Sequence, residues 1–167
     1  MGAIVSRAHQ EKILRYIETA NAEGAKLVYD GKLPADSALQ GGCYVYPTVF
    51  TEVSQDMIIA NEKVFGPVLS VIKHPHEKVL LEQVNRVEYG LTAAVFTRDF
   101  ACAHHAAGRV QSGVIWVNNA GPHYLGAGYG GYKQSRIVRE ELIEELLSFT
   151  QSKNINISVE CILILQI

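Results

Sequence analysis

Residues 90–118, GLTAAVFTRDFACAHHAAGRVQSGVIWVN, are the most informative about the fold class of this chain. Two apolar runs of strand length enclose a segment in which apolar residues recur at helical spacing. The recurring residues are Phe100, Ala103, Ala107 and Val110. Asp99 is a suitable N-cap for that helix. Strand, helix and strand in this order are typical of parallel strands joined by a right-handed crossover, so we predict an α/β fold with a parallel-type layered sheet and flanking helices.

The same alternation begins earlier in the chain. Residues 68–72 form a continuous apolar run, which predicts a strand covered on both faces. A helix over about 77–87 follows it, with an apolar stripe made of Leu80, Val84 and Val87. Together with the run 91–97, these segments extend the layered pattern towards the N-terminus.

The first third of the chain predicts a helix and two strands. The helix begins after Ser6, presents Ile13, Leu14, Ile17 and Ala20 on one face, and ends before Gly24. Residues 25–31 predict a short strand, and residues 33–42 a surface loop. Residues 43–53 alternate like a strand, but Pro47 lacks an amide proton, so we expect an edge strand or an extended crossing there.

The last third predicts a loop, a helix and a tail. Residues 121–135 are glycine-rich, and residues 139–149 predict a helix with a solvated acidic face. That face would contain Glu140, Glu141, Glu144 and Glu145. We therefore divide the chain into an α/β unit, residues 1–148, and a strand-like tail, residues 149–167, which ends in the apolar run CILILQI.

Composition excludes several classes of partner. Fifteen basic and seventeen acidic residues give a net charge of −2, which offers no extended field for nucleic acid or anionic lipid. No apolar run reaches the length of a membrane span, and no signal peptide opens the chain. Three widely spaced cysteines, Cys43, Cys102 and Cys161, indicate reduced thiols. These features predict a cytoplasmic protein that binds neither nucleic acid nor membrane.

The histidines and the tryptophan have ordinary structural interpretations. His104 and His105 are adjacent on a helix and point about 100° apart, so they do not chelate a metal. Pro75 separates His74 and His76 in a turn. We predict no metal site. Trp116 alternates with apolar neighbours in a buried strand and is interpreted as a core residue.

Six stretches, in this order, resemble the C-terminal part of the catalytic domain of the NAD(P)-dependent aldehyde dehydrogenases. They are VSRAHQEKILRYIETANAEGAKLVYDG (5–31), YPTVFTEV (46–53), NEKVFGPVLSV (61–71), YGLTAAVFTRD (89–99), SGVIWVNN (112–119) and GYGGYKQSRIVREE (128–141). Six matches in register are more specific than any single motif. The resemblance covers nearly the whole chain to about residue 157, and it implies a parent enzyme that oxidises an aldehyde to a carboxylic acid with NAD or NADP.

The resemblance implies a cofactor contact in residues 61–67. In the family, a phenylalanine there positions the nicotinamide, and Phe65 matches it. The glutamate before the family's valine or isoleucine binds the ribose hydroxyls, but Lys63 stands at that position, while Glu62 matches the preceding glutamate. An ammonium group donates hydrogen bonds and accepts none, so we expect a weaker grip on the ribose. The alternative is that Lys63 is a solvated charge beside a turn.

The resemblance also implies an aldehyde entrance. In the family, the loop matched by NNAGPHYLGAGY closes one side of it, which makes His123, Tyr124, Leu125 and Tyr129 candidate substrate residues. The glycines of this loop do not have the GxGxxG spacing of a dinucleotide fingerprint, so a flexible turn is the better interpretation. Downstream, Arg136 and Val138 replace two glycines of the family pattern, and a valine at a position of positive φ would be strained.

The family's cysteine nucleophile, general base and cofactor domain lie upstream of the matched part. None of the three cysteines here has the surroundings expected of the nucleophile. A stand-alone enzyme that uses Cys102, near a helix N-terminus, as its nucleophile is the weakest of three hypotheses for function. The leading hypothesis is an enzyme fragment that is inactive alone and binds no cofactor by itself. The other is a non-catalytic assembly module that pairs through its C-terminal strand with itself or with a full-length relative. In the family, the C-terminal strand extends a neighbouring subunit's sheet, so both hypotheses include a homo-oligomer formed through the tail.

Overall fold

The computed structural model describes residues 1–31, 41–135 and 137–157. Its described residues form five helices, α1 Arg7–Ala22, α2 Ile58–Asn61, α3 Glu77–Val84, α4 Phe100–Arg109 and α5 Ile143–Ser148. They also form seven strands, β1 Lys26–Asp30, β2 Thr48–Thr51, β3 Val68–Ser70, β4 Tyr89–Gly90, β5 Thr92–Val95, β6 Val114–Val117 and β7 Tyr132–Lys133. Helices and strands alternate along the chain, which confirms the predicted α/β class.

Parallel and antiparallel pairs both occur among these strands. The β2–β3 and β5–β6 pairs are parallel, the latter with Thr92 opposite Val114 and Val95 opposite Val117. The β1–β2 and β4–β7 pairs are antiparallel. The predicted strand–helix–strand unit at 90–118 is therefore confirmed, because helix α4 connects the parallel strands β5 and β6.

Helix α1 follows the prediction at both ends. The Ser6 hydroxyl accepts a hydrogen bond from the amide of His9 at 3.2 Å, and Gly24 has φ of 96°, which terminates the helix. Ile13 and Ala20 are buried on its inner face. Ala20 joins the core cluster formed with Ala25, Phe50, Val53 and Ile59.

The strand at residues 43–53 was predicted wrongly as an edge strand. Strand β2 is the central strand of the three-stranded sheet, with β1 and β3 on either side. Pro47 is compatible with this position because it lies one residue before the strand. Its carbonyl accepts from the Gly31 amide at 3.1 Å, and the missing amide proton falls outside the β2–β3 pairing, which begins at Thr48.

Several apolar positions are less buried than their pattern predicted. Leu69 in β3 is 58% exposed, so that strand is not covered on both faces within this chain. In α4, Ala103 and Ala106 are the buried residues, whereas Phe100 is 82% exposed. Helix α3 ends at Val84, earlier than predicted, and buries Leu81 rather than the predicted stripe.

The predicted helix at 139–149 begins four residues late. Glu140 pairs with Tyr129 in an antiparallel bridge, and Glu141 has φ of 65°, which is incompatible with a helix. The two glutamates therefore do not belong to a helical acidic face. In the tail, residues 151–157 have no regular secondary structure, and residues 158–167 lie outside the described part of the chain.

Candidate functional site

Residues 61–67 form a tight turn between helix α2 and strand β3. Phe65 adopts φ of 56°, a left-handed conformation that costs a residue with a Cβ about 1 kcal/mol. Gly66 follows, and a Cβ built on it would lie 2.8 Å from Ile13 Cδ1 of helix α1. The turn is thus stiff because the backbone passes directly over α1. It presents Phe65 outward, with 60% of the residue exposed.

Glu62 contacts helix α1. The Tyr16 hydroxyl donates a hydrogen bond to Glu62 Oε2 at 2.6 Å. This hydrogen bond raises the pKa of Tyr16 above its ordinary value, and desolvation of the phenol adds to the effect. One oxygen of the Glu62 carboxylate is therefore engaged within the protein.

Lys63 lies on two aromatic rings. Its Nζ is 4.4 Å from the centroid of Phe65 and 5.3 Å from the centroid of Tyr89. Both distances are within the range of cation–π attraction. No carboxylate within the described ranges forms an ion pair with this ammonium group. The side chain therefore connects the turn after α2 to strand β4, where Tyr89 lies.

Two pockets of about 420 and 440 Å³ include these charges in their lining. Both are lined by Asn61, Glu62, Lys63, Val87 and Tyr89. Ser112 and Ser135 line the first, whereas Lys12, Tyr16, Phe65 and Arg86 line the second. Lys63 and Tyr89 thus stand at the boundary between two cavities.

The glycine-rich loop is anchored at its C-terminal end. Lys133 Nζ donates to the carbonyls of Asn85 and Val87 at 2.6 and 2.9 Å, and Ser135 Oγ accepts from the Gly90 amide at 2.9 Å. A Cβ on Gly131 would collide with Ser135, and one on Gly130 with Arg139, so close packing requires glycine at these two positions. Gly126, by contrast, has φ of 90° and no atom within 4 Å of an added Cβ, as a turn glycine does.

The strain expected at Val138 is not observed. Val138 has a negative φ, since it is absent from the positive-φ residues of the described chain. Its neighbour Arg139 lies with its guanidinium carbon 5.7 Å from the centroid of Tyr132. Arg139 Nη1 is buried and has no hydrogen-bond partner among the described residues. Arg136 lies outside them.

A third pocket, of about 280 Å³, brings together three of the four candidate substrate residues. His123, Tyr124 and Tyr129 line it, and the rings of His123 and Tyr129 stack with centroids 4.4 Å apart. Leu125 is 95% exposed and does not line this pocket. The loop therefore points three of its four candidates into one cavity.

Two lining residues of this pocket were missed by the sequence interpretation. Trp116, assigned to the core, lines the cavity, and its Nε1 donates to the Pro122 carbonyl at 3.0 Å. Glu141, assigned to a helix, lies with Oε1 2.5 Å from His123 Nδ1. The Glu141 carbonyl also accepts from the Gly126 amide. The alternating pattern of the strand did not predict that Trp116 lines a pocket. The helical periodicity of residues 139–149 assigned Glu141 to a helix instead.

Within the described part of the chain, the cysteines and histidines form no further centre. Cys43 and Cys102 are partly buried free thiols, and the Cys102 amide donates to the Asp99 N-cap. Cys161 lies outside the described residues. His105 pairs with Glu77 at 2.8 Å. In residues 1–31, 41–135 and 137–157, no group of three or more potential metal ligands occurs.

The sequence model of the aldehyde dehydrogenase family matches residues 1–155. The chain belongs to this family. Aldehyde dehydrogenase tropH of Talaromyces stipitatus is 43% identical over 162 residues, which is 95% of this chain and 32% of that protein. Betaine aldehyde dehydrogenase of Brucella anthropi is 40% identical over 159 residues, with 95% of this chain and 33% of that protein covered.

Solved aldehyde dehydrogenase structures have the same fold over this region. A betaine aldehyde dehydrogenase from Staphylococcus aureus in complex with NAD⁺ superposes with a TM-score of 0.81 at 38% identity, covering 89% of this chain and 30% of that one. The NAD⁺ complex of an aldehyde dehydrogenase from Bacillus cereus gives 0.74 at 38% identity, with 83% and 28% covered. The chain thus spans about a third of the length of the aldehyde dehydrogenases that it matches.

Lys63 does not fit the ribose grip that the aldehyde dehydrogenase resemblance implies. That grip needs hydrogen-bond acceptors for two hydroxyl groups, and an ammonium group has none. In the neighbouring Glu62, Oε2 accepts from Tyr16, and Oε1 is the remaining acceptor at this turn. The ammonium group of Lys63 also lies on the Phe65 ring.

Among the described residues of this aldehyde dehydrogenase chain, no helix is long and apolar enough to cross a membrane.

Proposed function

We propose that this chain is a segment of an aldehyde dehydrogenase catalytic domain, from a parent enzyme that oxidises an aldehyde to a carboxylic acid with NAD or NADP. Residues 1–148 would be the C-terminal part of that domain, and residues 149–167 its oligomerisation strand and apolar tail. In this assignment His123, Tyr124 and Tyr129 contact the aldehyde, and Phe65 faces the cofactor. The family match over residues 1–155 supports the assignment.

The pocket lined by His123, Tyr124 and Tyr129 is the observation that carries the proposal. Its walls are largely aromatic and apolar, with Trp116 opposite the loop and Glu141 as the charged group. A cavity of about 280 Å³ with few polar groups is suited to a small organic molecule. Leu125 points away from it and is not expected to contact the aldehyde.

The 167-residue chain alone is expected to be inactive. Aldehyde oxidation in this family requires a thiolate and a base that activates it. Cys43 and Cys102 are partly buried, and neither has a side-chain hydrogen bond to a histidine or carboxylate among the described residues. We therefore expect the chain to supply part of an active-site wall, with neither Cys43 nor Cys102 as its nucleophile.

Aldehyde-dependent formation of NADH and NADPH tests this directly. The purified chain should give no rate above background with a panel of aliphatic, aromatic and cationic aldehydes. Turnover that is abolished by alkylation of the cysteines, and that persists after removal of contaminating enzyme, would contradict the proposal.

A chimera tests the aldehyde pocket. Residues 1–155 would replace the matching segment of the Brucella anthropi betaine aldehyde dehydrogenase, which is 40% identical. Tyr129→Ala in the chimera should raise KM for the aldehyde by about tenfold, the loss expected for one aromatic contact. The control is Leu125→Ala, on the same loop but outside the pocket, which should change KM by less than about twofold. Equal effects of the two substitutions would remove Tyr129 from the proposed site.

A second candidate function, a non-catalytic assembly module, is favoured by one observation. Ile155 and Ile157 alternate with Asn154 and Asn156, and both isoleucines are exposed. An extended segment with one apolar face can pair with a sheet edge of another chain. Native mass spectrometry of the chain alone, and mixed with a full-length relative, should detect homo-oligomers or mixed oligomers. Only monomers over a range of ratios would count against this function.

A further inference from the structure

The ammonium group of Lys63 lies over two aromatic rings. Its ammonium group lies 4.4 Å from the Phe65 centroid and 5.3 Å from the Tyr89 centroid. No ion pair within the described chain neutralises it. The partial negative charge on the faces of the two rings therefore attracts the ammonium group of Lys63.

The two rings come from different parts of the fold. Phe65 lies on the turn before β3, in the three-stranded sheet, and is held in a left-handed conformation. Tyr89 begins β4, which pairs with β7 and is anchored by the hydrogen bonds of Lys133 and Ser135. Lys63 thus spans the gap between two independently held aromatic residues, at the boundary of the 420 and 440 Å³ pockets.

We propose that the ammonium group of Lys63 occupies the ring faces of Phe65 and Tyr89 and thereby excludes a cationic ring of a ligand from them. The identity of that ring as an oxidised nicotinamide rests on the proposed function, whereas the occupation by Lys63 does not. Two cations cannot share one ring face without repulsion. A neutral ring is not repelled in this way, so the site should discriminate by charge.

The occupation is measured first, in the chain as it exists and without any nucleotide. The ε-methylene protons of Lys63 should be shifted upfield by the ring currents of Phe65 and Tyr89, unlike those of the other lysines. Phe65→Leu should remove most of this shift. A Lys63 resonance at the ordinary lysine position would overturn the proposal.

The exclusion is measured with nicotinamide mononucleotide, whose oxidised ring is cationic and whose reduced ring is neutral. Lys63→Met should raise the affinity for the oxidised form by about fivefold, the upper end for one exposed cation–π contact, and change that for the reduced form much less. Lys63→Glu, which also supplies acceptors for the ribose, should raise both. The control, Lys26→Met, removes an equal charge from strand β1, outside both pockets, and should change neither by more than about twofold.

An unchanged affinity in Lys63→Met overturns the exclusion, and so does an equal gain in Lys26→Met, which would indicate a general effect of charge. Neither result bears on the aldehyde pocket, because the turnover of the chimera is read separately. Failure of this inference and failure of the proposed function are therefore distinguishable.

Discussion

At the scale of single residues, Glu62 and Lys63 are adjacent charges with different neighbours. Glu62 accepts a hydrogen bond from Tyr16, and Lys63 lies on Phe65 and Tyr89. Both side chains are exposed, so a cation–π contact here is worth about 0.5–1 kcal/mol. Their effect on stability is small, but their placement decides which groups remain available to a ligand at this turn.

The pair Tyr16 and Glu62 makes a prediction about pH. The hydrogen bond to the carboxylate raises the pKa of Tyr16 in the folded chain above that of the unfolded chain. Its contribution is therefore fully present below the unfolded value, about 10, and is lost as pH rises through the higher folded pKa. Glu62→Gln should lower the pKa of Tyr16 towards its ordinary value, as followed by NMR titration of the tyrosine ring carbons.

Glu52→Gln is the matched control for this titration. Glu52 is an exposed carboxylate that pairs with Lys26 and does not contact Tyr16. It should leave the pKa of Tyr16 unchanged. If Tyr16 titrates identically in the chain with and without Glu62→Gln, the hydrogen bond does not form in solution.

The glycines at 113, 128 and 130 allow neighbouring segments of the chain to pack closely. Gly113, at the start of β6, lies so close to the Gly130 carbonyl that no Cβ fits between them. Gly128 lies against Leu142, and Gly130 against Arg139. Because these contacts join β6, the loop and the segment before α5, the glycines hold the wall of the 280 Å³ pocket in place.

Two glycine substitutions should have opposite effects. Gly113→Ala forces a methyl group into the Gly130 backbone and should destabilise the chain by about 3 kcal/mol. Gly108→Ala, inside helix α4, places its methyl group in open space and should stabilise by about 0.5–1 kcal/mol. Urea denaturation followed by far-ultraviolet circular dichroism measures both. A stable Gly113→Ala chain would mean that the loop and β6 are not packed as described.

Helix α5 and the residue after it carry a group of exposed apolar side chains. Helix α5 exposes Ile143, Leu146 and Leu147, and Phe149 after it is 83% exposed. Contiguous apolar surface of this kind indicates a contact with other protein. The chain spans about a third of the length of the aldehyde dehydrogenases it matches. We predict that further segments of a complete family fold would cover this surface.

The double substitution Leu146→Lys and Phe149→Lys tests this surface. In the isolated chain it should change the free energy of unfolding by less than about 0.5 kcal/mol and reduce binding of a hydrophobic dye. In the chimera, where the rest of the family fold is present, it should lower stability by more than about 2 kcal/mol. Phe50→Ala is the reference, since Phe50 is fully buried and should cost about 3–5 kcal/mol in both proteins.

An equal effect of the double substitution in the two proteins would show that α5 has no partner in the complete fold. A large loss of stability in the isolated chain would show that the helix is packed within it.

Local signals were sufficient for most elements. Ser6, Gly24 and Asp99 marked helix ends through capping chemistry, and the apolar runs at 91–97 and 113–118 marked the parallel pair β5–β6. The family was predicted from six stretches in order, and the match over residues 1–155 confirms it. Caps and periodicity depend on neighbours in the chain, which is why the sequence alone determined the α/β class and the family.

Contacts between distant residues had to come from the tertiary structure. The central place of β2, the pairing of His123 with Glu141 and the position of Lys63 on Phe65 and Tyr89 each join segments that no local pattern connects. Helical periodicity even pointed the wrong way at Glu140 and Glu141, because the bridge to Tyr129 overrides a local preference for helix. The sequence determines which chemical groups the chain carries. Packing and backbone pairing between distant segments determine which of those groups come into contact.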